Sequence, residues 1–416
     1  MTELASKTEA LPCCRFCGTK LNHVFADLGS TPLANRNITA AEVSSERSYP
    51  LIARICNSCL LVQVDDSVPP DQIFSDYDYF SSFSSDWLDH SRRYSEAMIS
   101  RFGLNQGSRV VEIASNDGYL LQYFKARGIA VQGVDPARNV AAVAIAKEIP
   151  TEIAFFGVDT ARRMLANDLS ADLIAANNVL AHVPDLRDFV GGFELLLKPE
   201  GVATFEFPHV LQLIDNVQFD TIYHEHFYYL SLVAVEKVLA AARLRAFDVE
   251  ELATHGGSLR LFVCKEGASF KETAALQSLR HKETARRLDS VDEYTSFASR
   301  ISATKTSFLE FLQRARQSGK KVAGYGAAAK GNTFLNFCGV GRADISRIYD
   351  LNPAKQGKLT PGSHVPIRSP ADISVDRPDF LVILPWNISS EIMRSMAAID
   401  EWGGRFVLAV PETRVV

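Results

Sequence analysis

Two C-x-x-C pairs, C14-R-F-C17 and C56-N-S-C59, constrain this chain more than any other feature. They require the fold to carry residues 56–59 back to residues 14–17 across the whole of residues 18–55. Two tight turns can aim four thiolates at one tetrahedral zinc ion, and four protein ligands leave that ion no open position. The spacing therefore predicts a structural zinc site made by Cys14, Cys17, Cys56 and Cys59, with no part in catalysis. Cys13 adjoins the first pair, but Cys14 has the right spacing to Cys17. The competing reading is two unrelated buried cysteine pairs. The N-terminal residues MTELASKTEALPCC lack the apolar core of a secretion signal, so we expect a cytoplasmic chain whose seven cysteines are thiols or metal ligands.

From Arg109 onward the pattern becomes alternating apolar strands and helices. R109-V-V-E-I-A, A130-V-Q-G-V-D135, D172-L-I-A-A-N-N178 and the stretch ending in F207 read as strands, with helical segments between them. Such alternation argues for a doubly wound, mostly parallel sheet whose ligands bind beyond the carboxyl ends of the strands. A strand at S258–C264 and a polar helical region at about 270–317 follow. A second βα series then begins at K320-K-V-A-G-Y-G-A-A-A-K-G and continues through I345–D350, F380–P385 and R405–V410. The expected division is 1–75, 76–265 and 266–416. With a net charge of −5 and no block of Lys and Arg, nucleic acid is not the expected partner. No apolar run approaches the roughly 20 residues needed to span a bilayer. Oligomeric state is not legible.

The first turn of the central domain reads E112-x-A114-x-N116-x-G118, where a dinucleotide fold would place G-x-G-x-x-G. An acid followed by small residues at alternate positions resembles the first motif of class I S-adenosylmethionine-dependent methyltransferases, from which Ala114 and Asn116 depart. Asp135 ends the next strand, where a carboxylate can accept ribose hydroxyls or cap the following helix. Asn177, Asn178 and His182, in N177-N-V-L-A-H-V-P-D185, follow a later strand at the same edge.

Taken in order, the knuckles, the modified first motif, N177-N-V-L-A-H-V-P-D, Y223-H-E-H226 and G324-Y-G-A-A-A-K-G resemble one family over nearly the whole chain. It is the nucleotide-sugar C-methyltransferases of deoxysugar biosynthesis. The resemblance implies an α/β fold with an N-terminal zinc-binding domain, a class I central domain that binds S-adenosylmethionine, and a C-terminal second Rossmann-like domain. It implies as substrate a dTDP-linked 4-keto deoxyhexose, often methylated at C-3′. The cofactor contacts expected are Glu112, Ala114, Asn116, Asp117, Gly118, Asp135, Asn177 and Asn178.

Carbon methylation needs a carbon nucleophile, and a hydrogen next to a ketone can be removed by a base to give an enolate. A neutral histidine, with a pKa near ~6.5, suits that role. By resemblance His226 is the base, Tyr223 a sugar or enolate ligand, Glu225 an orienting partner and His182 a second polar contact near the keto group. Tyr77 is the further active-site tyrosine, with Tyr79 as its alternative. The zinc-protease pattern H-E-x-x-H is excluded, because the histidines here are only two apart. His224 has no assigned role, and His209 and His255 are weaker candidates. After the strand at 320–325, Lys330 and Asn332 at the start of a helix could hold the diphosphate of a sugar nucleotide. Two other readings are a nicotinamide-dependent oxidoreductase and a non-catalytic, zinc-stabilised nucleotide-binding module.

Overall fold

The computed structural model describes residues 11–66, 68 and 80–416, so Tyr77 and Tyr79 lie outside the described residues. The chain divides into two compact units. One comprises Met1–Ser67, Ile214–His224 and Leu288–Val416; the other comprises Val68–Leu213 and Glu225–Arg287. One boundary falls inside Y223-H-E-H226, between His224 and Glu225.

The first unit opens with β1 (His23–Thr31), β2 (Tyr49–Ile55) and β3 (Val62–Val64), joined antiparallel. In β2 the alternate residues Leu51, Ala53 and Ile55 are buried, the period-two pattern of a strand with one covered face. Phe25 of β1 stacks on Phe297 at 4.7 Å.

In the second unit the chain enters through α1 (Ser85–Phe102), capped by the Ser84 hydroxyl and closed by left-handed Gly103. Strands β4 (Arg109–Ile113), β5 (Ala130–Val134), β6 (Thr151–Glu152), β7 (Ala171–Asn177) and β8 (Leu197–Pro208) run parallel. Between them lie α2 (Leu121–Lys125), α3 (Arg138–Ala146), α4 (Val158–Ala166) and α5 (Leu186–Leu196). β4 and β7 are buried almost throughout, as strands covered on both faces must be. After β9 (Tyr228–Tyr229) and α6 (Leu232–Ala241), β10 (Leu244–Leu252) and β11 (Ser258–Lys265) finish the sheet as an antiparallel pair. The order is β10-β11-β8-β7-β4-β5-β6. It reverses at β4, which opens a crevice beyond the carboxyl ends of β4 and β7. α7 (Ala274–Ala285) closes this unit.

The helical region expected over about 270–317 is broken. Arg287 is left-handed (φ 55°), and α8 (Phe297–Gln317) belongs to the other unit. That unit continues with β12 (Val322–Tyr325), α9 (Ala329–Cys338), β13 (Ile348–Tyr349), β14 (Ile367–Arg368), β15 (Phe380–Ile383), β16 (Arg405–Leu408) and β17 (Arg414–Val415). Its sheet order is β14-β13-β12-β15-β16-β17, parallel except for β17. The reversal at β12 creates a second crevice, beyond the ends of β12 and β15. Among the described residues no helix is long and apolar enough to cross a membrane.

Candidate active site

The turn after β4 explains its unusual motif. Ala114, Asn116 and Gly118 all have positive φ (58°, 48° and 78°). The three alternate positions are thus left-handed, which glycine tolerates best and which costs an alanine about 1–2 kcal/mol. The turn also delays the following helix, which begins at Leu121 and lasts five residues. At Gly118 a Cβ would lie 2.5 Å from Ile149 Cδ1. Gly118→Ala therefore combines a clash with a disfavoured φ, and we expect it to lower the melting temperature and weaken S-adenosylhomocysteine binding together, readable by calorimetry.

The crevice is lined by buried acceptors. Both Glu112 oxygens, Ser115 Oγ, Asp117 Oδ1, and the amide oxygens of Asn177 and Asn178 are buried without a hydrogen bond of good geometry. Burial pushes the Glu112 pKa well above the carboxylate range; the Tyr119 hydroxyl opposes this, while Asp135 and Asp117 add to it. Asp135 accepts from Asn116 N and Ala137 N, each at 2.8 Å, and so both caps the chain and fixes the first turn; burial raises its pKa. Each unmet buried group costs about 1–3 kcal/mol. A ligand that brings donors removes that cost. S-adenosylmethionine does so through its ammonium, ribose hydroxyls and adenine amine, so these residues fit it.

A buried charge network that the sequence reading missed lies at the same edge. Glu206, near the end of β8, is fully buried; Arg260 Nη2 donates to it at 2.9 Å, and His90 Nε2 lies 3.2 Å away. Burial alone would raise its pKa, but His90 and Arg260 hold it low. Trp87 stacks on His90 at 4.8 Å, and its ring lies 6.1 Å from that of Tyr119. His255 (φ 54°) approaches Asn178 Nδ2 at 3.4 Å. The available signal was Trp87 and His90 three apart on one helix, which put both on one face.

The histidine cluster forms between the loop after β7 and the H-E-H segment. His182 Nδ1 donates to the Glu225 carbonyl at 2.7 Å, and the His182 and His226 rings meet edge-on at 4.7 Å. Phe227 N donates to Ala181 O at 2.8 Å and the Tyr228 hydroxyl to Pro184 O at 2.8 Å, which pins the segment beside that loop. Because a carbonyl only accepts, the His182 proton sits on Nδ1, leaving Nε2 a lone pair whenever the ring is neutral. Burial lowers the His182 pKa and so favours that neutral ring. Tyr223 belongs to the other unit.

His224 is a structural residue. It is 3% exposed, Nε2 donates to Pro50 O at 3.1 Å, and its ring meets Tyr49 edge-on. Burial depresses its pKa below 6.5. The unfolded chain then takes up the proton first, so His224 erodes stability as pH falls through about 6.5 toward its lower folded value. In His224→Gln, urea unfolding between pH 7.5 and 5 should show a shallower loss of stability than in the parent.

The two knuckles are built alike. Gly18 N donates to Cys14 O and Leu60 N to Cys56 O, at 2.8 and 2.9 Å, with both residues left-handed. The four sulfurs lie within 4.8 Å of one another, with Cys14–Cys59 at 3.6 Å and Cys17–Cys56 at 3.5 Å. A tetrahedron with bonds of about 2.3 Å places its sulfurs about 3.8 Å apart, so the cluster fits zinc. Gln63 Nε2 donates to Cys14 Sγ at 3.1 Å.

At the second crevice, Lys330 Nζ lies 3.0 Å from Asn387 Oδ1 and 4.5 Å above the Trp386 ring. Asn332 is turned inward: it is fully buried, and its amide donates to Ala34 O at 2.7 Å. That donor serves the scaffold.

Family models match residues 14–74 ("Putative zinc binding domain"), 87–246 ("Methyltransferase domain") and 253–411 ("C-methyltransferase C-terminal domain"). The C-methyltransferase NovU of Streptomyces niveus is 35% identical over 405 residues, covering 97% of this chain and 96% of that protein. A ubiquinone biosynthesis O-methyltransferase of Rhodopseudomonas palustris (strain BisA53) is 27% identical over 145 residues, 30% of this chain and 57% of its own. An S-adenosylmethionine-dependent methyltransferase structure from Clostridium acetobutylicum ATCC 824 covers 43% of this chain and 92% of its own, at 12% identity and a TM-score of 0.35.

Proposed function

The chain belongs to the C-methyltransferase family, and we propose on that basis that it methylates a carbon beside the ketone of a nucleotide-linked 4-keto deoxysugar. A dTDP-sugar methylated at C-3′ is the substrate we favour. The observation that carries this reading is the pairing of an acceptor-rich cradle after β4 and β7 with the His182–His226 cluster at the same strand end.

In this reading Glu112, Asp117, Asp135, Asn177 and Asn178, with the turn at Ala114, Asn116 and Gly118, hold the cofactor. Bound there, S-adenosylmethionine would supply an electrophilic methyl group for the enolate carbon that the protein generates. His226 removes the proton from the carbon beside the ketone. His182, kept neutral and tethered to the Glu225 carbonyl, offers Nε2 to the substrate's polar edge. Tyr223 holds the developing enolate oxygen, and Glu225 orients the base. Tyr77, with Tyr79 as its alternative, completes the site by family resemblance. Zinc in the four-cysteine cluster serves the N-terminal domain alone. Residues 1–75, 76–265 and 266–416 form its three functional parts, and Lys330, with the backbone amides that open α9, receives the diphosphate.

Calorimetry tests the cofactor assignment. S-adenosylhomocysteine should bind tightly and NADP should not; tight NADP binding without S-adenosylhomocysteine binding would overturn it.

A further inference from the structure

Resting on the reading of Lys330 and the backbone amides that open α9 as the holder of the substrate's diphosphate, we propose that Asp220 and Trp386 are positioning residues that seat the Lys330 ammonium for that anion. Three separate stretches bring these groups together within one unit. Asp220 opens D220-T-I-Y223, Lys330 lies in the first turn of α9, and Trp386 follows β15. Both crevice-forming strands therefore contribute, Lys330 after β12 and Trp386 after β15.

The geometry is specific. The Trp386 indole N–H donates to Asp220 Oδ2 at 2.7 Å, and the indole ring so fixed lies 4.5 Å beneath Lys330 Nζ. Asn387 Oδ1 holds the same ammonium at 3.0 Å. Asp220 is itself anchored, because Phe219 beside it packs against Phe334 and Phe337 of α9. One anchored carboxylate thus fixes the platform under a lysine and faces that lysine with opposite charge.

A purely structural role does not account for Asp220. It is 1% exposed, and its Oδ1 is buried with no hydrogen-bond partner of good geometry. Burial raises its pKa to about 6, with Lys330 and Trp386 opposing the rise, so the group is charged at neutral pH. Burial also lowers the Lys330 pKa, and Asp220 counters it. The other charges at this edge are otherwise engaged. Asp350 accepts from Ala327 N and Asn352 N and lies 3.6 Å from Lys355, and Glu391 acts on Tyr325. Removing the Asp220 charge therefore leaves Lys330 to lose its proton at lower pH, and a neutral amine is a poorer ligand for a diphosphate.

The test measures dTDP affinity by calorimetry near pH 7 and pH 8.5, with S-adenosylhomocysteine affinity as the check on folding. Lys330→Met should weaken dTDP about tenfold or more, the scale of one charge-assisted hydrogen bond. Asp220→Asn, which can still accept from the indole, should weaken it several-fold, with a larger loss near pH 8.5 than near pH 7. Trp386→Phe keeps a ring but loses the N–H clamp and should also weaken it; it decides the matter if Asp220→Asn loses S-adenosylhomocysteine binding too. Affinity equal to or tighter than the parent's in both positioning variants, with Lys330→Met impaired, would overturn this proposal alone. An unimpaired Lys330→Met would overturn the diphosphate reading first, and this one with it.

Discussion

His226→Asn is expected to lower turnover by about 10²–10⁴-fold, the range typical for loss of a positioned general base. Asparagine keeps a polar side chain of similar reach at this half-buried position but cannot take a proton near neutral pH. His226 is not among the groups assigned to hold the cofactor, so S-adenosylhomocysteine affinity should hold. The separating measurement is exchange of the sugar hydrogen with deuterated water. Loss of exchange with cofactor binding intact places His226 at proton removal. Retained exchange would move that role to another group, with His182 Nε2 next in line because its Nδ1 proton is fixed by the Glu225 carbonyl.

Removing the metal is expected to have the larger effect on the fold. A structural Cys₄ zinc contributes on the order of 10–16 kcal/mol of apparent binding free energy in small zinc domains, and that energy is spent on folding. The first knuckle lies just before β1, and the second, with Cys56 and Cys59 buried, joins β2 to β3. Cys56→Ser should reduce bound zinc from near one ion per chain to well below it. It should also bring early, separate unfolding of this segment, seen as protease cleavage within residues 11–66. Full protection without bound zinc would contradict a structural metal.

The sequence carried the frame of this fold because its signals are local. The knuckles are set by spacing, and β4, β5, β7 and β11 are apolar runs that parallel or buried strands require. β10 is not legible in the sequence, because R245-A-F-D-V-E-E mixes charges into a strand that reaches the surface at Glu251. The departures at Ala114 and Asn116 looked like weaknesses in the motif. The structure turns them into its explanation, since both occupy the left-handed positions that glycine would otherwise fill. What sequence could not supply was the pairing of distant groups. Glu206 with Arg260 and His90, and Asp220 with Trp386, come together only through the strand order. Asn332 shows the same dependence on the fold: at the first turn of α9 it looks like an anion ligand, and in the fold its side-chain amide donates to Ala34 O.

The most direct test follows a methyl group bearing a heavy carbon from S-adenosylmethionine into a dTDP-linked 4-keto deoxyhexose, read by carbon NMR of the product. The account predicts a methyl signal coupled to a ring carbon beside the ketone, formed in step with S-adenosylhomocysteine. A methyl bonded to oxygen, or no transfer to any keto sugar nucleotide by protein that binds both ligands, would contradict it.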